Sequence, residues 1–182
     1  MLTPSKPLFP LLPAVAGALL GLLLSSSAMA EPGADVTAES SRLIQEAEEY
    51  ALEGNYDAAL PLYERAIASL GSAPHRQNQL RYRYGIILNA LGAQRPDLYP
   101  LARSQFQAVL TYVASSPGLP FEHSAARVRS AIAHTYHQQS ALENNPNKRA
   151  AMLRNAYQLY ASAIDQLREE EDWQNLAITS FN

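Results

Sequence analysis

The chain has 182 residues, with 17 acidic residues against 14 Lys and Arg, a formal net charge of −3 and no cysteine. This mild acidity argues against general nucleic-acid binding, and the lack of cysteine excludes a disulfide framework, a cysteine nucleophile and a lipid-anchored lipoprotein, which needs a cysteine at its cleavage site. The length is sufficient for one domain with a substantial hydrophobic core.

The N-terminal segment has the pattern of a signal peptide. Lys6 precedes an uncharged apolar run from Leu11 to Leu24, and Ala28-Met29-Ala30 supplies small residues at the two positions that a signal peptidase reads. We therefore expect residues 1–30 to be a cleaved signal peptide that exports the protein to the bacterial periplasm. The alternative is an uncleaved anchor in the inner membrane, because residues 7–30 carry no charge and nearly suffice to span a bilayer.

Residues 31–38 are rich in Pro, Gly and small side chains without periodicity and are predicted to be a flexible lead-in. Residues 39–182 are predicted to form one helical domain. Its first unit, about 39–73, centres on Gly54, which can adopt the left-handed conformation that stops a helix, and on Asp57, which can cap the next one. Small and aromatic residues then recur at spacings of four and three, at Ala59, Tyr63 and Ala66.

The same spacing returns twice along the chain. It appears in a unit at about 76–115, with Ala102, Phe106 and Val109, and in a unit at about 121–170, with Ala156, Tyr160 and Ala163. In the second unit Gly85 is expected at a close helix contact and Gly92 at the end of a helix. Insertions relative to the first unit are expected as a loop at residues 93–97, and as longer helices with a loop at residues 143–147 in the third unit.

The last stretch, residues 172–182, is predicted to be a lone helix that caps the array. Trp173, Leu176 and Ala177 lie at spacings of three and four, which places them on one helix face. We expect this face to pack around Tyr160 and Ala163, with Trp173 buried.

Small residues and aromatics at these spacings, in three units in phase, resemble the tetratricopeptide repeat. The resemblance covers about residues 39–182. It implies an all-α fold, a tetratricopeptide-like solenoid of three antiparallel helix pairs plus a C-terminal capping helix. An irregular helical bundle is the alternative, since Ala and Tyr at these spacings also occur in other bundles.

The sequence carries no recognised catalytic signature. HExxH, GxSxG and a glycine-rich phosphate loop are all missing, and the paired carboxylates are adjacent residues that point in different directions on a helix. His134 and His137 are three apart, but two histidines need a third ligand to form a metal site. We therefore expect no enzyme, no cofactor and no metal.

The resemblance implies that the first helix of each pair lines a concave groove that binds a protein or peptide segment. The groove residues implied in this way are Gln45, Glu48, Tyr82, Arg83, Asn89, Arg127, His134 and His137. In this arrangement Tyr82 anchors the partner, and Arg83 and Arg127 are its charge partners.

The charge distribution predicts an acidic partner. Between residues 74 and 130 the chain has seven arginines and only two acids, Asp97 and Glu122. The favoured function is a periplasmic scaffold or adaptor that binds another protein, without contact to nucleic acid, and to membrane only if the signal segment is uncleaved. The alternatives are a ligand- or metal-binding accessory subunit of an envelope complex, and self-assembly through the terminal helix.

Overall fold

The computed structural model describes residues 38–116, 121 and 123–180, and over these residues it is helical and contains no strand. The described residues form seven helices, α1 Ala38–Leu52, α2 Tyr56–Ser69, α3 Pro74–Leu91, α4 Leu98–Ser115, α5 Ala125–Leu142, α6 Pro146–Glu169 and α7 Trp173–Ser180. The most extensive packing joins α1 to α2, α3 to α4, and α5 to α6, and each pair also contacts the next helix along the chain. The all-helical class and the packed adjacent pairs are thus confirmed.

Gly54 makes the turn between α1 and α2. Its φ of 76° is in the left-handed region, as predicted. The N–H of Gly54 bonds to the Ala51 carbonyl at 3.2 Å, and the N–H of Asn55 bonds to the Tyr50 carbonyl at 2.9 Å. Together these two bonds form the Schellman closure of a helix C-terminus. The prediction that Asp57 caps α2 is wrong, because α2 begins at Tyr56 and Asn55 is the residue before it.

Two glycines of the second unit lie where the chain has no room for a side chain. A Cβ on Gly85 would lie 2.6 Å from the Phe106 ring, and one on Gly92 would lie 2.5 Å from the Tyr99 ring. The close contact expected at Gly85 is therefore present. Gly92 directly follows α3, but with a helical φ of −55°, so its role is to admit the Tyr99 ring rather than to reverse the chain.

The main core extends from α1 to α5. Ala59, Ala102 and Ala133 are fully buried, as are the aromatic rings of Tyr84 and Phe106. Tyr63 of α2 stacks on Tyr84 of α3, with ring centroids 5.5 Å apart. The Phe106 ring lies directly against Gly85, so α3 and α4 approach closely at positions that the repeated spacing indicated.

The insertion in the third unit is taken up mainly by helix length. The helix α6 has 24 residues, against 14 in α2. The loop before it is shorter than predicted, because Pro146 already belongs to α6 and Asn145 caps it, accepting bonds from the N–H groups of Asn147 and Lys148 at 3.0 and 3.1 Å.

The prediction for the terminal helix is wrong for Trp173 and Ala177 and right for Leu176. The Trp173 side chain is 62% exposed, and Ala177 is exposed as well. Leu176, the third residue of the predicted face, does pack inward, against a small core formed by Ala126, Ala163 and Leu167. Thr179 is buried, and its hydroxyl lies 3.1 Å from that of Ser130 on α5. Leu176 and Thr179 are therefore the residues through which this eight-residue helix contacts α5 and α6.

The predicted signal peptide at residues 1–30 and all but the last residue of the predicted lead-in lie outside the described residues. Ala38, the last residue of that lead-in, is already the first residue of α1. Among the helices that the structure describes, none combines the length and the apolar character needed to cross a membrane.

Candidate functional site

A shallow groove of about 300 Å³ runs between the first helix of the first unit and the first helix of the second. We call it the α1–α3 groove. It is lined by Ser41, Ile44, Gln45 and Glu48 of α1, and by Arg76, Gln79, Leu80 and Arg83 of α3. These residues recur at three- and four-residue intervals, so each set forms one face of its helix. The face next to it on α1 carries Leu43 and Ala47, which are buried in the main core and fix the rotation of the helix.

An ion pair crosses this groove. The Arg83 guanidinium donates to a Glu48 carboxylate oxygen at 2.9 Å, and the two side chains are only 24% and 28% exposed. Glu48 and Arg83 were both predicted as groove residues, and the structure places them against each other. Part of the charge that was expected to hold a partner is thus already neutralised inside the protein.

Arg76 is the other cation of the groove. It is partly exposed, and within the described part of the chain it forms no ion pair. With Glu48 paired to Arg83, Arg76 leaves the lining with an excess of one positive charge. A carboxylate that enters the groove can therefore bind the Arg76 guanidinium without breaking an internal ion pair.

A buried phenol lies near the ion pair of the groove. The pKa of Tyr63 is raised well above the ordinary value, first by burial and then by the nearby Glu48 carboxylate, while Arg83 acts in the opposite direction. The phenol therefore stays neutral at physiological pH. Ile44 and Leu80 add apolar area beside it, so the site offers polar groups around an apolar floor.

Tyr82 is not available as an exposed anchor. It is buried, with its ring stacked on His123 at a centroid distance of 3.8 Å and edge-on to Phe106 at 5.5 Å. This face of α3 turns toward the segment before α5, away from the α1–α3 groove. His123 itself precedes α5, so it does not share that helix with His134.

Asn89 is partly buried in the last turns of α3. Its Oδ1 atom is buried and has no hydrogen-bond partner among the described residues. Of the predicted groove residues, Gln45, Glu48 and Arg83 line the α1–α3 groove, whereas Asn89 does not.

The three groove residues predicted on α5 lie outside the α1–α3 groove. Hydrogen bonds from Asn175 lower the pKa of the Asp172 carboxyl, and Arg127 is close enough to lower it further. His134 is held by two neighbours, the Tyr160 hydroxyl at 3.3 Å from its Nδ1 and the Gln138 amide nitrogen at 2.8 Å from its Nε2.

Burial lowers the pKa of His134, and the nearby His137 lowers it further. His137 is exposed. Since both ring nitrogens of His134 already have partners, the two histidines do not present a pair of free ligands. No group of three or more residues in the described ranges could hold a metal ion.

The arginines between residues 74 and 130 mostly connect helices to one another. Arg81 donates to Gln105 at 2.9 Å, Arg95 donates to Asp57 at 2.9 Å, and Arg103 lies 4.2 Å from the centroid of the Tyr136 ring. Arg129 donates to Gln166. The local excess of positive charge therefore serves largely to join helices, both within a unit and between neighbouring units.

Sequence reasoning missed Arg76, Ser41, Gln79 and Leu80 as lining residues. The signal was present for Arg76, which lies seven residues, or two helical turns, before Arg83 and hence on the same face of α3. Extending that face toward the start of the helix would have found it.

Comparisons with known proteins identify no relative, since the chain matches no protein-family model, no curated protein and no solved structure.

Proposed function

We propose that the protein is a non-catalytic scaffold that binds a segment of another protein in the α1–α3 groove. The observation that carries the proposal is the groove itself, with the uncompensated guanidinium of Arg76 beside an apolar floor. Small pockets of mixed character of this kind suit an extended peptide, whose side chains fill the apolar part while its charged groups set the orientation.

The repeated helix pairs support the same proposal. Each pair packs on the next helix in chain order, and small residues lie at the closest contacts. These features are what a tetratricopeptide-like solenoid requires, and in such arrays the first helices of successive pairs line one extended surface. The α1–α3 groove lies between the first helices of the first two pairs.

The partner segment is proposed to be acidic. Arg76 gives the groove one positive charge in excess of Glu48 and Arg83, and a carboxylate can form two parallel hydrogen bonds with a guanidinium. The place of action is proposed to be the periplasm, because Ala28-Met29-Ala30 follows a long uncharged apolar run, as in exported proteins.

Site-specific photo-crosslinking in the cells that express the full chain tests this function. A photoreactive amino acid at Gln79, which lines the groove, is expected to form an adduct with a partner through an acid-containing segment. The same amino acid at Arg65, which is exposed on α2, is the matched control. Adducts of equal yield at both positions, or none at Gln79, would contradict the proposal.

A further inference from the structure

The longest helix of the described chain exposes a face that no other described helix covers. Along α6, Arg154, Gln158, Ala161 and Asp165 recur at intervals of four, three and four residues, and Tyr157 lies beside them. All five are exposed or partly exposed. We call these five residues the α6 outer stripe. Tyr157 is 74% exposed and lies at the midpoint of the helix, so an aromatic ring stands in solvent at the centre of a helix that spans about 36 Å.

Charge is separated along this helix and the turn that follows it. Residues 146–159 contain Lys148, Arg149 and Arg154 and no acid, whereas residues 160–172 contain five acids and a single base, Arg168. The five acids are Asp165, Glu169, Glu170, Glu171 and Asp172. Arg168 forms an exposed ion pair with Asp165 at 3.4 Å. The other four acids, one at the end of α6 and three in the turn after it, have no basic counterpart on this helix.

This arrangement is unfavourable for the helix by itself. The N-terminus of a helix carries a partial positive charge and the C-terminus a partial negative one, so bases in the first turn and acids in the last turn oppose the helix dipole. Lys148 and Arg149 are in the first turns of α6, and Glu169 is its last residue. Intrahelical stability therefore does not explain why the charges are ordered in this way.

We propose that α6 is a self-association surface, on which a second copy of this chain packs its own α6 in antiparallel orientation across the outer stripe. In that orientation the basic half of each helix lies along the acidic half of the other. When Arg154 of one copy is level with Asp165 of the second, Arg149 comes next to the C-terminal end of the other helix, at Glu169 and its C-cap Glu170. A two-fold axis repeats every one of these pairs.

The same register also fits the shape of the stripe. It puts Tyr157 opposite Ser162 and Gln158 opposite Ala161 of the second copy, so the large side chains of one helix face small ones of the other. Close approach of two helices needs such alternation. The excess of acids at the end of α6 and the opposing dipoles are compensated in the same contact. This surface is independent of the α1–α3 groove.

Charge reversal followed by mixing tests the proposal. The full chain is expressed, and the purified protein is studied by sedimentation velocity over a wide range of concentration. The unaltered protein is expected to form a dimer. Arg154→Glu places two acids opposite each other, and Asp165→Arg places two bases opposite each other, so each variant alone is expected to dimerise at least about tenfold more weakly.

Mixing the two variants is the decisive arm. In the mixed dimer the carboxylate introduced by Arg154→Glu faces the guanidinium introduced by Asp165→Arg. The unaltered Asp165 of the first variant faces the unaltered Arg154 of the second, so association is expected to return.

The controls make the same changes of charge at exposed positions elsewhere. Arg65→Glu and Asp97→Arg are expected to leave the dimer intact. A monomer at all concentrations, or a dimer unaffected by either stripe variant, would overturn the proposal. So would single variants that stay monomeric when mixed.

Discussion

The Arg83 guanidinium of α3 lies 2.9 Å from the Glu48 carboxylate of α1 and joins the first helices of two successive units. These residues are 35 positions apart in the chain, so the pair links the second unit to the first. It also forms one wall of the α1–α3 groove. The same contact therefore contributes to the fold and sets the charge that an incoming segment meets.

Breaking the ion pair between Arg83 and Glu48 should lower the free energy of unfolding by more than the loss of an exposed ion pair and by less than the loss of a buried one. Both side chains are about one quarter exposed, so their attraction is partly screened by solvent. In a double-mutant cycle with Glu48→Gln and Arg83→Gln we expect a coupling free energy of about 1 kcal/mol, measured by urea unfolding. Arg42→Gln with Glu46→Gln, an exposed pair within α1, is the control and should show weaker coupling. A coupling of zero at Glu48 and Arg83 would contradict the role assigned to the pair.

Gly85 should tolerate no side chain. An added Cβ would lie 2.6 Å from the Phe106 ring, which is fully buried and cannot move aside. Gly85→Ala should therefore lower the free energy of unfolding by about 1–3 kcal/mol, although alanine favours a helix. Gly71→Ala is the control, because its Cβ would meet only the Ala68 carbonyl at 3.7 Å. Thermal melts compare the two, and equal stability of both variants would contradict this packing.

Trp173 and Leu167 should differ sharply in their contribution to stability. Leu167 is completely buried in the small core under α7, whereas Trp173 is 62% exposed. Leu167→Ala is expected to cost about 2–5 kcal/mol, while Trp173→Ala should change stability by less than about 1 kcal/mol. A large loss for Trp173→Ala, measured by the same melts, would restore the sequence prediction that the indole is buried.

These examples show how far the sequence predicts the fold. The spacing that places Ala59, Ala102 and Ala156 at helix contacts reflects a local property, since a small residue is needed wherever two helices approach. Whether Trp173 is covered depends instead on how a helix of eight residues sits on α6, and no spacing within the helix encodes that. The indole is therefore exposed although its position in the repeat pattern suggested burial.

Tyr82 illustrates the same limit for the site. The helix α3 belongs to the middle unit and is buried on several sides. Its buried residues include Tyr82, Tyr84 and Leu88. In such a helix the period of apolar residues does not separate a surface face from a core face. The face of α3 that carries Arg76 and Arg83 could be inferred from their spacing, whereas the burial of Tyr82 depends on the segment that covers it.

His134 should make stability depend on pH. Its pKa is lowered in the folded protein by burial, so the unfolded chain binds the proton more readily. Stability is then lost as the pH falls through about 6.5, the ordinary pKa of histidine, toward the lower value of the folded state. In the His134→Gln variant the free energy of unfolding should depend less on pH in this range. Urea unfolding at a series of pH values measures this. His137→Gln removes only the smaller cause of the shift and should flatten the profile less. An unchanged loss of stability in the His134→Gln variant would contradict the assignment.

The most direct test of the proposed function is the affinity for the acidic segment identified by crosslinking, measured by calorimetry at low and at moderate salt. Arg76→Glu reverses the uncompensated charge of the groove without breaking the bond between Arg83 and Glu48. It is expected to weaken binding at least about tenfold and to reduce its dependence on salt. Arg127→Glu, outside the α1–α3 groove, is expected to bind as the unaltered protein does. Unchanged affinity of the Arg76→Glu variant at low salt would contradict the α1–α3 groove as the binding site.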